Sequence, residues 1–186
     1  MTETTHDLGA LFDEHLRHEF VAQDVANTMA TMVSEPYVNH VPTMMGGVGG
    51  DALAEFYGSY FIGHWPADTT ITPVCRTVGV DRLVDEMIMS FTHDIVMPSF
   101  LPGVPPTGRS VRLPVVAVVG FEAGKIAYER IYWDQASLLA QVGLLNEAAL
   151  PITGVVQAHK VLDESLPANT LLHHRSRLPH QPLAEG

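Results

Sequence analysis

Cysteine occurs once, at Cys75, in a chain of 186 residues. A lone thiol excludes an intrachain disulfide framework and a thiolate metal cluster, and it suits a reducing compartment. Basic residues are scarce as well, with 10 Lys and Arg against 21 Asp and Glu. The shortfall sits in residues 1–149, where 7 basic and 18 acidic groups leave a net charge of −11, while residues 150–186 hold 3 of each. Phosphate recognition needs a basic stripe, so nucleic acid and acidic membrane surfaces are disfavoured as partners. No apolar run approaches the ~20 residues of a membrane span. The amino terminus has no basic stretch followed by an apolar one, so no secretory signal is expected and a cytoplasmic setting is. HExxH, HxH and paired-cysteine spacings are all missing, so neither a resident metal nor another cofactor is expected. There is no G-x-S-x-G elbow for a serine hydrolase. The glycine cluster MMGGVGG (residues 44–50) lacks the Lys-Ser/Thr ending of a phosphate loop and reads as a flexible connector.

What is present suits one compact domain: 46% of residues are hydrophobic and 17% charged. A chain of this size buries roughly 70% of its unfolded surface and needs no covalent staple. Apolar residues at spacings of three and four (Leu8, Leu11, Phe12, Leu16, Phe20) predict a helix over residues 6–22. A second is expected from Val25 to Val33 after the cap Asp24, and a third after Asp51, ending at Pro66. Tyr37–Val41 reads as a short strand. The period then changes to two, giving strands over Thr69–Val80, Arg82–Met97, Ser110–Phe121 and Lys125–Trp133. The tight turns at 79–81 and 122–124 make neighbours antiparallel. The proline-dense PSFLPGVPPTG (residues 98–108) is a loop or lid. Ala136–Leu145 and residues near Val155–Leu162 read as short helices, and the remaining tail as an arm over the surface or a partner subunit. Helices followed by antiparallel strands make an α+β domain over 1–149 with an extension over 150–186.

Strict alternation along the last strand groups Ile126, Tyr128, Arg130, Tyr132 and Asp134, and separately Lys125, Ala127, Glu129, Ile131 and Trp133. One of these faces must look inward, and the polar and aromatic mixture of the first set is unusual for a plain core. On the strand before, Leu83, Met87, Met89 and Phe91 form an apolar row ending in His93.

The segment from Leu101 to Leu144 is identified by PPTGR (105–109), by GKI (124–126) entering the final strand, and by YWDQ (132–135) before a short helix. With FTHD (91–94) and NHVP (39–42) it resembles the SnoaL-like branch of the nuclear-transport-factor-two-like superfamily, over roughly residues 8–148. The resemblance implies a cone-shaped, curved antiparallel sheet wrapped round N-terminal helices, an apolar pocket, and a homodimer through the sheet. It also implies proton chemistry of the kind run by polyketide cyclases, ketosteroid isomerase or hydratases. Asp134 matches the acid/base of the cyclases, and His93 and His40 match their histidines. Many relatives carry Glu and Trp where this chain has Tyr128 and Arg130.

A carboxyl in an apolar cavity has its pKa raised towards neutrality, where it can take and give a proton. Asp134 is the candidate, with His40 or His93 as polar partner and Tyr132 as donor to a developing oxyanion. Against this stands the reading of Asp134 as the N-cap of the following helix. The three histidines His40, His64 and His93 sit among apolar residues, where a satisfied core role competes with function. Met44, Phe56, Tyr60, Trp65, Met87, Phe91, Tyr128 and Arg130 are the candidate contacts for a small hydrophobic molecule. Glu86 and Arg130 are placed either as an ion pair at the pocket edge or as a surface pair. Two functions stay open: an enzyme acting on a hydrophobic carbonyl compound without a cofactor, and a non-catalytic module that binds a hydrophobic ligand or mediates dimerisation.

Overall fold

The computed structural model describes residues 6–173. Helix α1 (Leu8–Leu16) starts where the Asp7 carboxylate accepts from Ala10 N at 3.0 Å, and it buries Leu8, Phe12 and His15. It runs on into a π-helical segment, Arg17–Ala22, which ends as Gln23 turns left-handed at φ 51°. Asp24 caps α2 (Val25–Ala30) as expected, accepting from Asn27 N. The helix stops three residues earlier than its apolar spacing predicts. Thr31 donates its hydroxyl to Thr28 O, and Met32 is buried as the first residue of a strand.

That strand, β1 (Met32–His40), is longer than expected and pairs on one side with β2 (Met45–Val48). The glycine cluster is therefore an edge strand and not a flexible connector. Its glycines let the backbones close up, since a Cβ on Gly46 (φ 136°) would fall 2.1 Å from Val38 O. Helix α3 (Gly50–Phe56) follows and passes into a second π-helical segment, Tyr57–Phe61. Strands β3 (Thr70–Val78), β5 (Ser110–Glu122) and β6 (Lys125–Trp133) lie where the period-two pattern puts them, while β4 (Arg82–Thr92) stops five residues short of the expected Met97, where Asp94 N turns back to Thr92 O at 2.8 Å.

The six strands form one sheet in the order β2-β1-β6-β5-β4-β3. All neighbours are antiparallel except β1 and β6, which run parallel. Everything from β2 to β5 connects that parallel pair, as a crossover requires. Helices α1 to α3 pack on the inner face, which together with the loop after β4 makes a single apolar core. The proline-rich segment between β4 and β5 stays out of the sheet and plugs one end of that core with Met97, Phe100 and Leu101, all fully buried. Phe100 lies parallel to Trp133 with ring centres 4.0 Å apart.

One irregularity decides which side chains face inward. Between β5 and β6 the register steps from Gly120 opposite Tyr128 to Phe121 opposite Ile126, so Ala127 is the extra residue of a β-bulge. The bulge shifts the alternation by one. Ile126 is inward, yet so are Glu129, Ile131 and Trp133, while Tyr128, Arg130 and Tyr132 face out. The grouping predicted by strict alternation fails at this point. Tyr128 lies over Gly120, where an added Cβ would meet its ring at 2.1 Å, and the Arg130 guanidinium stacks on that ring at 4.6 Å. The outer face also carries Val84, Val116 and Val118, whereas Ile131 is turned inward.

After β6, helix α4 (Gln135–Gln141) begins at Asp134, and α5 (Val156–Leu162) packs against β5 with Ala158 fully buried. The arm expected along the tail lies, beyond residue 173, outside the described residues. No described helix is long and apolar enough to cross a membrane.

Candidate functional site

Between the inner face of the sheet and the N-terminal helices lies a chamber of about 40 Å³. Its walls are apolar, with Met87, Met89, Val115 and Ile131 from the sheet and Phe61, Trp65 and Phe100 closing round them. Among the described residues, its ionisable side chains are Glu19, His40, Tyr57 and Glu129. A groove of about 500 Å³ opens outside it, and the two share Leu16, Phe20, Trp65 and Ile71. These four residues form the gate between an inner chamber with room for a few water molecules and an outer vestibule of ligand size.

The polar floor is assembled by elements that alternation alone cannot bring together. Glu129 comes from β6 through the bulge. Glu19 and Tyr57 come from the two π-helical segments, a distortion of the helix that recurs at functional sites. His15 stands behind them in α1, fully buried, with Nε2 3.0 Å from Glu19 Oε1 and 2.9 Å from Glu129 Oε1. The Tyr57 hydroxyl is 3.4 Å from the same nitrogen. On its other side, His15 Nδ1 is 2.6 Å from Thr31 Oγ1. That hydroxyl already donates to Thr28 O, so Nδ1 is the donor and the ring orientation is fixed.

Burial by itself would drive the proton off His15. Glu129 and then Glu19 outweigh it and push the pKa up to about 10, so the ring is an imidazolium at neutral pH. Glu19 is shifted upward, first by its own burial and in spite of His15. Burial, with Glu129 and Glu19 adding to it, holds the Tyr57 phenol well above its usual range, so it stays an O–H donor. Glu129 Oε1 is ion-paired with His15 Nε2 at 2.9 Å, without the alignment of a good hydrogen bond, and has no further donor among the described residues.

His40 sits at the aromatic end of the chamber, with Phe56, Phe61, Phe100 and Trp133 rings centred 5.3 to 5.8 Å away. Burial lowers its pKa to about 4, against the pull of Glu129 and of the hydrogen bond to Met45 O at 3.3 Å. Met45 O can only accept, so Nδ1 carries the proton and Nε2 is left as an acceptor.

Of the other expected site residues, Trp65 and Met87 line the chamber, and Phe56 packs behind it against His40. Phe91 is buried and meets Trp65 edge-on at 6.4 Å, outside the chamber wall. Met44 is 85% exposed, and Tyr60 and Tyr132 are exposed as well. Tyr128, Arg130 and Tyr132 are excluded from the chamber by the bulge. His64 is half-buried in the turn after α3. His93 is buried where β4 gives way to the proline-rich loop, with Nδ1 3.2 Å from Thr107 Oγ1. Its carbonyl accepts from Thr107 N and Gly108 N, so it closes that loop and does not line the chamber. Burial keeps it neutral despite Asp94.

Asp134 also lies away from the chamber. Its carboxylate accepts from Ser137 N at 3.2 Å, Ser137 Oγ at 2.7 Å and Gln157 Nε2 at 3.2 Å, so it caps α4 and ties α5 to the end of the sheet. Three residues that sequence reasoning passed over left a readable signal. His15 and Glu19 interrupt the apolar stripe of the first helix at its own spacing of three and four, and Glu129 interrupts the row of Ile131 and Trp133.

Comparison with known proteins agrees with this architecture. The sequence matches the SnoaL-like domain family over residues 12–129. No curated protein matches it. Among solved structures, it is similar to TsrD from Streptomyces laurentii, at 18% identity and TM-score 0.57 over 74% of this chain and 96% of that one. An NTF2-like protein of unknown function from Burkholderia pseudomallei is 19% identical, with TM-score 0.55 over 73% and 96% of the two chains. A proposed SnoaL-like polyketide cyclase from Jannaschia sp. is 16% identical, with TM-score 0.57 over 78% and 99%. These structures share the fold, and the family match covers well over half of the sequence. The chain belongs to the SnoaL-like domain family.

Proposed function

We propose that the protein is a general acid/base enzyme acting on a hydrophobic carbonyl compound, with Glu129 as the base. The observation that carries this is Glu129 Oε1: a buried carboxyl oxygen in the wall of an apolar chamber, whose one close polar partner of opposite charge among the described residues is His15 Nε2 at 2.9 Å. Behind it His15 Nε2 pairs with this oxygen at 2.9 Å and fixes the carboxyl group in the chamber wall, where it can take a proton from a bound molecule. In the step we propose, a C–H bond next to the carbonyl breaks, its proton passes to Glu129, and its electron pair moves onto the carbonyl oxygen. The Tyr57 O–H, held protonated by its surroundings, donates to that oxygen as charge develops there. Returning the proton elsewhere completes an isomerisation, and attack of the enolate on a second carbonyl of the substrate completes a cyclisation. Asp134 has no part in this step, because its oxygens are engaged at the α4 cap. Part of the same proposal is a homodimer across the outer face of the sheet, where Val84 and Tyr132 are exposed; sedimentation as a monomer at micromolar concentration would remove it.

The test is deuterium exchange at the α-carbon of 2-tetralone in D2O, followed by NMR. Glu129→Gln should slow the catalysed exchange ~10²-fold or more. Asp134→Asn should leave it within about threefold, since Asn still caps. Exchange lost in Asp134→Asn and kept in Glu129→Gln would overturn the assignment. Binding of 2-tetralone with no catalysed exchange would make the chamber a ligand site without chemistry.

A further inference from the structure

The step just described uses Glu129, Tyr57 and the charge of His15, and gives Glu19, which pairs with His15 at 3.0 Å and with the Tyr57 hydroxyl, no part in the proton transfer. It is a second carboxyl, 4% exposed, in the wall of the same chamber. The donor atoms of His15, Glu19 and Glu129 all lie within 4.8 Å of one another. One imidazolium can balance one carboxylate, so with both glutamates ionised the floor carries an uncompensated negative charge in an apolar surrounding. Among the described residues no Lys or Arg lines the chamber. Arg17 stands at the outer groove beside Asp13, and Arg76 is bound to Asp13 and Asp85 at 2.8 Å each. The missing positive charge has to come from a proton on Glu19 or from the ligand. Beside the aliphatic side chains, the rings of Phe20, Tyr57, Phe61, Trp65 and Phe100 line the chamber, and aromatic faces attract cations. The dimensions agree: about 40 Å³ accepts a head group the size of an ammonium, while about 500 Å³ beyond the gate accepts a ring skeleton.

We infer that the ligand of this chamber is a cation, a protonated amine carried beside the reacting carbonyl on an apolar skeleton, with Glu19 as the partner of its charge. The carbonyl in that description rests on the proposed function above; the positive charge does not. Glu19 holds a proton while the chamber is empty and releases it to solvent when the ammonium takes its place. Glu129 keeps its task as base, and carboxylate-bearing compounds are refused.

Three probes of matched shape test this by calorimetry at about 0.15 M salt, where attraction to the acidic surface is screened: 2-phenylethylamine, 2-phenylethanol and 3-phenylpropanoate. The amine should bind at least ~10-fold more tightly than the alcohol, and the carboxylate more weakly than either. Glu19→Gln should bring the amine to within about threefold of the alcohol while leaving the alcohol unchanged. Glu122→Gln, at the exposed end of β5, should leave the ranking as it is. The wild-type ranking decides the matter even if Glu19→Gln does not fold. Equal binding of amine and alcohol, no binding of the amine at about 10 mM, or an amine preference that survives Glu19→Gln would each overturn the inference. Failure of 2-tetralone exchange with the ranking intact would remove the base and leave the cation site standing.

Discussion

The two ends of the chamber each hold a fully enclosed histidine, and the two are in opposite charge states. At the carboxylate floor His15 is an imidazolium with its pKa pushed up to about 10; in the aromatic box His40 is neutral with its pKa down at about 4. Burial opposes the charged form of both rings. The difference is distance to charge: His15 Nε2 is about 3 Å from two carboxylate oxygens, whereas His40 is surrounded by four rings and feels Glu129 only from afar. Burial therefore sets the stakes of ionisation, and the neighbours decide its direction. In this fold the result is a polarised cavity, with charge at one end and a flat apolar surface at the other.

The strongest way to break the comparison is to remove the cation at the charged end. His15→Leu leaves Glu19 and Glu129 facing each other without a counter-charge, and loss of one partner from a buried ionic cluster costs about 3–5 kcal/mol. Urea unfolding should show a loss of that order. Adding Glu19→Gln and Glu129→Gln to His15→Leu should recover most of it, because a neutral cluster has nothing left to compensate. A His15→Leu variant as stable as wild type would mean that the two carboxyls are uncharged in the native protein.

The same contrast predicts opposite pH limbs. Between about 6.5 and about 10 the folded chain holds a proton on His15 that the unfolded chain has released, so this stabilisation is complete below about 6.5 and lost as pH rises towards 10. Between about 4 and about 6.5 the unfolded chain protonates His40 and the folded chain does not, so stability falls as pH drops through that range. His40→Phe should flatten the acid limb and leave the alkaline one. Unchanged acid sensitivity in that variant would assign the limb to the carboxylates.

The corner at Asp134 is the third place to test, and the smaller effect expected there separates a cap from a catalyst. Asp134→Ala removes the acceptor of Ser137 N and the anchor of Gln157, so it should cost about 1 kcal/mol of stability. Its deuterium exchange on 2-tetralone should fall far less than in Glu129→Gln.

These placements show how much the sequence disclosed. The switch from a spacing near four to a spacing of two located the helices and the last four strands, because burial of one face imposes those periods directly. The motifs PPTGR and YWDQ pointed to the family. What could not be read was the phase of β6. One extra residue at Ala127 exchanges the two faces, and a bulge leaves no mark in a hydrophobicity pattern in which Tyr and Arg already compete with Glu and Trp. The parallel pairing of β1 with β6 was equally hidden, since strands so far apart in the chain have no turn between them to set their direction. The π-helical segments that present Glu19 and Tyr57 depend on packing between elements, and local spacing carries no sign of them.

The outer face of β6 gives the smallest expected effect and the sharpest check on that phase. If the bulge places Arg130 outside, its guanidinium only stacks on the Tyr128 ring above Gly120, an exposed cation–π contact of about 0.5–1 kcal/mol. Arg130→Ala should then lower stability by no more than that and leave both the exchange of 2-tetralone and the ranking of the three probes unchanged. Were Arg130 in the chamber, as strict alternation would have it, its removal would uncover two carboxylates and change both readouts strongly. A large effect in either one would therefore return β6 to the unbulged phase, and with it Glu129 to the surface.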